Sequence, residues 1–424
     1  MSKKPDGALT SKRREWQSGD KLYQSYSMKK EWQWKQLGEL CKTGSGGTPL
    51  KSKREYYERG TIPWLMSGEV CQRDIRTTSC FITQKGLENS SARIFPKDTV
   101  LVAMYGATAG QVGILRFESA TNQAVCGILP NEQFQPEFLY YFLLSKQQDL
   151  VAQATGNAQP NISQIKIKNT ILPIVPLPEQ QRIVAILDEA FSAIATAKAN
   201  AEKNLQNARA IFESHLQFVF TQRGPGWVEK RLGDVFDIGS SKRILETEWT
   251  SAGIPFYGGK EIVKLAKYGT VISNAYISEE KYRDYASRYD MPRQGDILIT
   301  ARGTIGVGYV VKEDDKFYYK DGNIISMRGK NATNPHFILF AFRSNVMSDQ
   351  LGELTGTTVR HLPIEKAKTL VLGMPGLVSQ NVIVKQIRKM EEETNRLATI
   401  YQQKLTALEA LKKSLLHQAF TGEL

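Results

Sequence analysis

Apolar residues recur at intervals of three and four over two long stretches of this 424-residue chain. The first stripe is Ile183, Leu187, Ala190, Ile194, Ala197, Ala201, Leu205, Ala208, Phe212 and Leu216. The second is Ile387, Met390, Thr394, Leu397, Tyr401, Leu405, Leu408, Leu411 and Leu415. Such spacing places every member on one face of a helix with 3.6 residues per turn. Pro178 suits the first helical position, ahead of Glu179 and Gln180. About 40 residues of helix extend about 60 Å at ~1.5 Å per residue. That outgrows an ordinary domain, so the two helices are expected to pack on one another along their stripes.

Ahead of each stripe the pattern is different. Short β-branched runs end at glycines, as in Val100-Leu-Val-Ala103 before Tyr105-Gly106 and Ile297-Leu-Ile-Thr300 before Arg302-Gly303. These are strand and turn signals, and they predict mixed α/β units built on a twisted sheet. The two units are copies. Residues 155–221 can be laid on 355–421 without a gap, and fifteen of the 67 positions are identical, where composition alone would give roughly four. Each copy also opens alike, at Trp32-Gln-Trp-Lys-Gln-Leu37-Gly38-Glu39 and at Trp227-Val-Glu-Lys-Arg-Leu232-Gly233-Asp234. A period this long marks a pseudo-dimer within one polypeptide. The expected architecture is therefore α/β (α+β): two similar units separated by two long antiparallel helices, one unit at each end, related by a pseudo-two-fold. Its divisions fall at 1–31, a basic and flexible lead-in; 32–177, the first unit; 178–222, the central helix; 223–375, the second unit; and 376–424, the second helix.

A net charge of +13 and a pI near 9.3 point to an acidic partner, nucleic acid before membrane. No apolar run approaches the roughly 20 residues that span a bilayer, and no signal-peptide core opens the chain, so a cytoplasmic protein is expected. The four cysteines, Cys41, Cys71, Cys80 and Cys126, all lie in the first copy without a CxxC pair, which reads as reduced core thiols. The four histidines show no metal-ligand spacing. Metal chemistry is not expected.

Two further segments carry a family signature. Pro176-Leu-Pro-Glu-Gln-Gln-Arg-Ile-Val-Ala-Ile-Leu187 and Leu415-Leu-His-Gln-Ala-Phe-Thr-Gly-Glu-Leu424 resemble the opening of the central spacer helix and the closing segment of Type I restriction-modification specificity subunits, the HsdS family. Ile62-Pro-Trp64 and Gly295-Asp-Ile-Leu-Ile-Thr-Ala-Arg-Gly-Thr-Ile-Gly306 are similar to elements of that family's target recognition domains. The second helix entry departs from the pattern: Gly376-Leu-Val-Ser-Gln-Asn-Val-Ile-Val384 lacks the Pro-Glu-Gln-Gln run. The resemblance implies a non-catalytic subunit with two target recognition domains that read an asymmetric, two-part sequence in double-stranded DNA. It implies two methyltransferase subunits and restriction subunits as partners, with S-adenosylmethionine, ATP and magnesium bound by those partners and no cofactor on this chain.

The residues themselves bear on catalysis. Gly44-Ser-Gly-Gly-Thr48 is not followed by the lysine of a phosphate loop, and a strand-connecting turn is its expected role. Asn334-Pro335-His336-Phe337 is similar to the signature of amino-methyltransferases, but its counterpart Gln135-Pro136-Glu137-Phe138 shares only the Pro-x-Phe element, as two helix starts would. Base reading needs donors and acceptors on rigid loops, backed by cations. The repeat brings four loop pairs into correspondence: Lys42 to Thr48 with Ser240 to Arg243, Ser67 to Glu69 with Tyr257 to Lys260, Tyr105 to Thr108 with Arg302 to Thr304, and Asn157 to Asn161 with Thr357 to His361. Candidate contacts are Lys42, Ser45, Ser67, Glu69, Tyr105, Thr108, Asn157, Gln159 and Asn161 in the first copy. In the second they are Ser240, Ser241, Lys242, Arg243, Tyr257, Lys260, Arg302, Thr304, Thr357, Thr358, Arg360 and His361. Arginine suits guanine, so Arg243, Arg302 and Arg360 stand out; Asn157, Gln159 and Asn161 suit adenine. The competing roles for the chain are a free-standing methyltransferase or nuclease, disfavoured for want of cofactor and metal motifs, and a coiled-coil adaptor for protein partners.

Overall fold

Both stripes form helices in the computed structural model, Leu177–Gln222 and Leu377–Thr421, beginning 200 residues apart. The structure describes residues 32–153, 161–354 and 361–424; the basic lead-in of 1–31 lies outside them. The missing Pro-Glu-Gln-Gln run does not shift the second helix, because one residue of that run does the anchoring and it is present in both copies. Gln180 accepts the Gln135 N–H at 2.9 Å and donates to the Val175 carbonyl at 2.7 Å. Gln380 accepts the Asn334 N–H at 2.9 Å and donates to the Pro375 carbonyl at 2.8 Å. Both amides are buried, so each backbone group they satisfy would otherwise be stranded.

The described chain forms two units. One comprises residues up to Ala199 with Leu405–Leu424, the other Asn200–Lys404. In the first, a five-stranded sheet runs in the order Thr43–Ser45, Val125–Ile128, Val100–Ala103, Val112–Leu115, Asp74–Ile75. A four-stranded sheet runs Phe81–Ile82, Ile62–Leu65, Ser119–Thr121, Ile94–Phe95. Gln33–Gln36 pairs with Ile171–Ile174 as a separate ribbon. The single sheet expected from sequence is thus several. The reason lies in the strand Val100–Ala103, which is buried on both faces. Val100 and Val102 face a core shared with helix Pro136–Ser145, whereas Leu101 and Ala103 face Leu65 and Phe95 of the second sheet. Alternate side chains point to opposite faces, so a wholly apolar strand needs a layer on each side.

The same core takes in Ile183 and Leu187 from the start of the first long helix and Leu416, Ala419 and Phe420 from the end of the second. Phe420 meets Phe138 and Phe142 edge-on, each at 5.4 Å between ring centres. The two helical segments run antiparallel here: Lys198 pairs with Glu409 at 2.6 Å, and Lys412 lies over Phe191. At this end the expected stripe slips. Leu411 is exposed, and Leu416, Ala419 and Phe420 carry the burial, because the helix turns its inner face to the domain core as well as to the other helix. Arg73 fixes the domain to the helix through a two-pronged bond to Asp188, which also accepts the Tyr141 hydroxyl at 2.5 Å.

The second unit repeats the plan. Its sheets run Phe236–Gly239, Ile324–Gly329, Ile297–Thr300, Gly308–Val310 and Tyr276–Ile277, Ile254–Tyr257, Tyr318–Tyr319, with the ribbon Val228–Arg231 against Val371–Met374. Phe212, Leu216 and Phe220 from the end of the first long helix share its core with Val384 and Ile387 from the start of the second. Two helices, Gly259–Tyr268 and Glu279–Arg288, occupy the stretch between its strands.

Cys41 and Cys126 are buried thiols as expected, but Cys71 is exposed and Cys80 half-buried, so not all four are core residues. Asn334 caps helix Pro335–Phe342 by accepting the His336 N–H, and Phe337 is fully buried, which accounts for the Asn-Pro-His-Phe segment structurally.

Candidate nucleic-acid interface

Two of the four loop pairs are brought together in each unit, and by the same bonds. In the first, Tyr105 bridges Asn161, with the Ile162 N–H donating to the Met104 carbonyl at 2.8 Å. In the second, Arg302 bridges His361, with the Leu362 N–H donating to the Ala301 carbonyl at 2.8 Å. Each turn then needs a left-handed residue, supplied by Gly106 (φ 77°) and Gly303 (φ 76°). No neighbour crowds either glycine, so conformation and not space requires it. The preceding side chains, Tyr105 and Arg302, are exposed, and among the described residues no carboxylate lies within ion-pair distance of Arg302. Thr304 is exposed and Thr108 half-buried beside them; Asn161 is exposed and His361 half-buried. Asn157, Gln159, Thr357, Thr358 and Arg360 lie outside the described residues.

The loop from Lys42 joins this region in the first unit. Its Thr43–Ser45 stretch is the edge strand of the five-stranded sheet. Ser45 donates to Gln164 at 3.0 Å and Gln164 donates to Thr43 at 2.8 Å, which ties the loop to the helix that follows Asn161. The glycines here serve close packing and not a phosphate. A Cβ on Gly46 would fall 2.1 Å from the Thr121 carbonyl, and one on Gly47 2.3 Å from the Ala92 nitrogen. Lys42 is exposed at the start of the strand.

The remaining candidates are more committed to the fold. Ser240 donates to the Ile324 carbonyl at 2.9 Å and Ser241 to the Tyr319 carbonyl at 2.6 Å. Arg243 is paired with Asp321 at 3.0 Å, while Lys242 is exposed with its ammonium over the Tyr289 ring. Ser67 is half-buried in a single helical turn. Glu69, in the same turn, accepts the N–H groups of Met66 and Ser79 and the hydroxyls of Thr78 and Ser79. Burial alone would push its carboxyl up, but these donors outweigh it and hold the group below its ordinary range. Tyr257, read from sequence as a loop residue, is instead the last residue of a strand, buried against Phe317; burial pushes its hydroxyl up. Its strand simply runs further than the alignment with Ser67 implied. Lys260 is exposed in the first turn of the helix that follows.

Sequence reasoning missed Arg93. Its Nε donates to the Ser45 carbonyl at 2.9 Å and its guanidinium lies 5.4 Å from the centre of the Phe95 ring. Beneath, burial pushes the Cys126 thiol up to about 12, against the opposing charges of Lys168 and Arg93. The signal for Arg93 was Gly44, whose missing side chain leaves it room.

No group of three or more His, Cys, Asp or Glu among the described residues could hold a metal ion, and no helix there is long and apolar enough to cross a membrane. Two α/β domains are thus built on one plan, with matched loops, each sharing a core with two long helices. The chain belongs to the type I restriction modification DNA specificity domain family, whose model matches residues 29–206 and 225–408. It is similar to the MjaIX specificity subunit of Methanocaldococcus jannaschii, at 24% identity over 93% of this chain and 94% of that one. It is also similar to the Escherichia coli EcoR124I/EcoR124II specificity subunit, at 25% identity over 45% of this chain; this match spans about half of that relative, 48%. Its fold matches a chain solved in work on complex assembly and conformational transition of the type I R-M system, with a TM-score of 0.74 and 20% identity over 94% of this chain and 100% of that one. The chain is the specificity subunit of a type I restriction-modification enzyme; the catalysis of such systems lies in other subunits.

Proposed function

We propose that the chain reads an asymmetric two-part sequence in double-stranded DNA, one part through residues 32–177 and the other through 223–375, with 178–222 and 376–424 as spacer helices. On this reading it assembles in the cytoplasm with two methyltransferase subunits and with restriction subunits, which bind S-adenosylmethionine, ATP and magnesium. One observation carries the proposal: both units build the same loop junction from the same backbone bonds but present different side chains, Tyr105 and Asn161 in one, Arg302 and His361 in the other. A shared frame with exchanged side chains is what two readers of different sequences require. The net charge of +13 supplies the attraction to phosphates.

The test is to replace residues 32–172 with the matching stretch of another specificity subunit and to map the modified sequence of the assembled enzyme. One half of the sequence is expected to change and the other to persist. Loss or change of both halves overturns the proposal.

A further inference from the structure

We infer that Arg93 is a specificity-determining residue of the first unit, presenting the paired N–H groups of its guanidinium to a guanine in the half-site that unit reads. The inference rests on the DNA-reading role proposed above and names a residue within it.

Arg93 is held on three sides. Its Nε is committed to the Ser45 carbonyl, Phe95 lies against the guanidinium, and the flat of the group occupies the place where Gly44 would carry a side chain. A Cβ built on Gly44 would fall 2.1 Å from Nη2 and 2.3 Å from Cζ. With Nε occupied, the free edge is the Nη1–Nη2 pair, two parallel donors that match guanine O6 and N7. The side chain is exposed, and among the described residues no carboxylate comes within ion-pair distance of it. Ser45, whose carbonyl holds it, is bonded through its hydroxyl to Gln164, three residues after Asn161 of the loop junction. A phosphate contact would need only a cation, and Lys42 and Lys168 are exposed for that purpose. A guanidinium locked in plane by a carbonyl, a ring and a glycine is organised for direction.

The experiment uses the chain assembled with its methyltransferase subunits and compares the wild type with Arg93→Lys and Gly44→Ala. Arg93→Lys keeps the charge and removes the fork. Gly44→Ala keeps the arginine and pushes it aside, which the flexible side chain permits without disturbing backbone. Modified sequences are mapped, and binding is measured to duplexes carrying single-base changes in either half-site. In both variants, discrimination at one guanine of the first half-site is expected to fall roughly 5- to 150-fold, with the second half-site unchanged. An unchanged sequence in both variants overturns the proposal and leaves Arg93 as a cover for the edge strand. An equal loss of binding to matched and mismatched duplexes also overturns it, since that is the mark of a phosphate contact. A wild-type complex with no two-part sequence would instead defeat the parent reading, independently of either variant.

Discussion

Arg302 and His361 face one another across an isolated antiparallel bridge, as Tyr105 and Asn161 do in the other unit. Among the described residues one bridge and the hydrogen bond beside it join these loops, so these side chains sit on a fixed backbone without being part of a ladder. That is a frame able to accept substitutions without refolding.

Arg302→Ala should therefore leave the second unit folded and assembled. If Arg302 grips guanine with two bonds, about 1–3 kcal/mol of discrimination at that base is lost. Mapping of modified DNA would show one relaxed position in the second half-site. A sequence and rate equal to the wild type would remove Arg302 from the interface.

Glu69 has a different role, buttressing its turn. A carboxyl held below its ordinary range contributes stability that is present above the unfolded pKa and disappears as pH falls through the folded one. Glu69→Gln should destabilise the first unit by about 1–2 kcal/mol near neutrality, and the deficit should close below about pH 4. Thermal unfolding across that range measures it. A deficit that does not vary with pH would rule out the charge as its source, and a relaxed first half-site would make Glu69 a base reader after all.

Gln180 and Gln380 are equivalent pins, and removing either strands backbone groups in the interior. Each alanine variant should cost about 1–3 kcal/mol. Gln380→Glu should do more harm than Gln380→Ala near neutrality: both lose the donor to the Pro375 carbonyl, but glutamate also sets a buried carboxylate oxygen against that carbonyl oxygen. Chemical denaturation ranks the three proteins, and a harmless glutamate would refute the assignment of the amide.

Phe420→Ala should open a cavity against Phe138 and Phe142 and cost about 3–5 kcal/mol. Hydrogen exchange should rise around residues 136–145 while residues 335–342 stay protected. Phe220→Ala should do the converse, since Phe220 packs on Phe337 at 5.1 Å. Equal exposure of both segments in either variant would contradict this division.

The repeat, the two helices and the family were legible in the sequence because they rest on spacing that survives divergence. Equivalence of side-chain roles was not. Gln380 falls on Gln180 when the copies are aligned, but with the motif around it gone its work shows only in the buried bonds to Asn334 and Pro375. Tyr257 looked like a loop residue because strand ends are set by pairing, here with Tyr319, and not by local composition. Leu411 kept the helical spacing but not the burial, since the face a long helix buries depends on what it meets at each end. Arg93 follows Ser90-Ser91-Ala92, which carries none of the motifs read from the sequence; its place is decided by a glycine some fifty residues earlier.

The sharing of one core by Phe138 and Phe420 also fixes an order in time. Synthesis runs from the first residue onward, so every residue of 200–404 has been made before Leu416, Ala419 and Phe420 exist. The unit begun second receives its whole sequence first, while the unit begun first waits with the face around Phe138 and Phe142 uncovered. Its last layer then comes from the far end of the sequence, a closure of high contact order. During that interval the nascent protein holds one finished reader and one unfinished, and chaperone capture should fall on the earlier-made half.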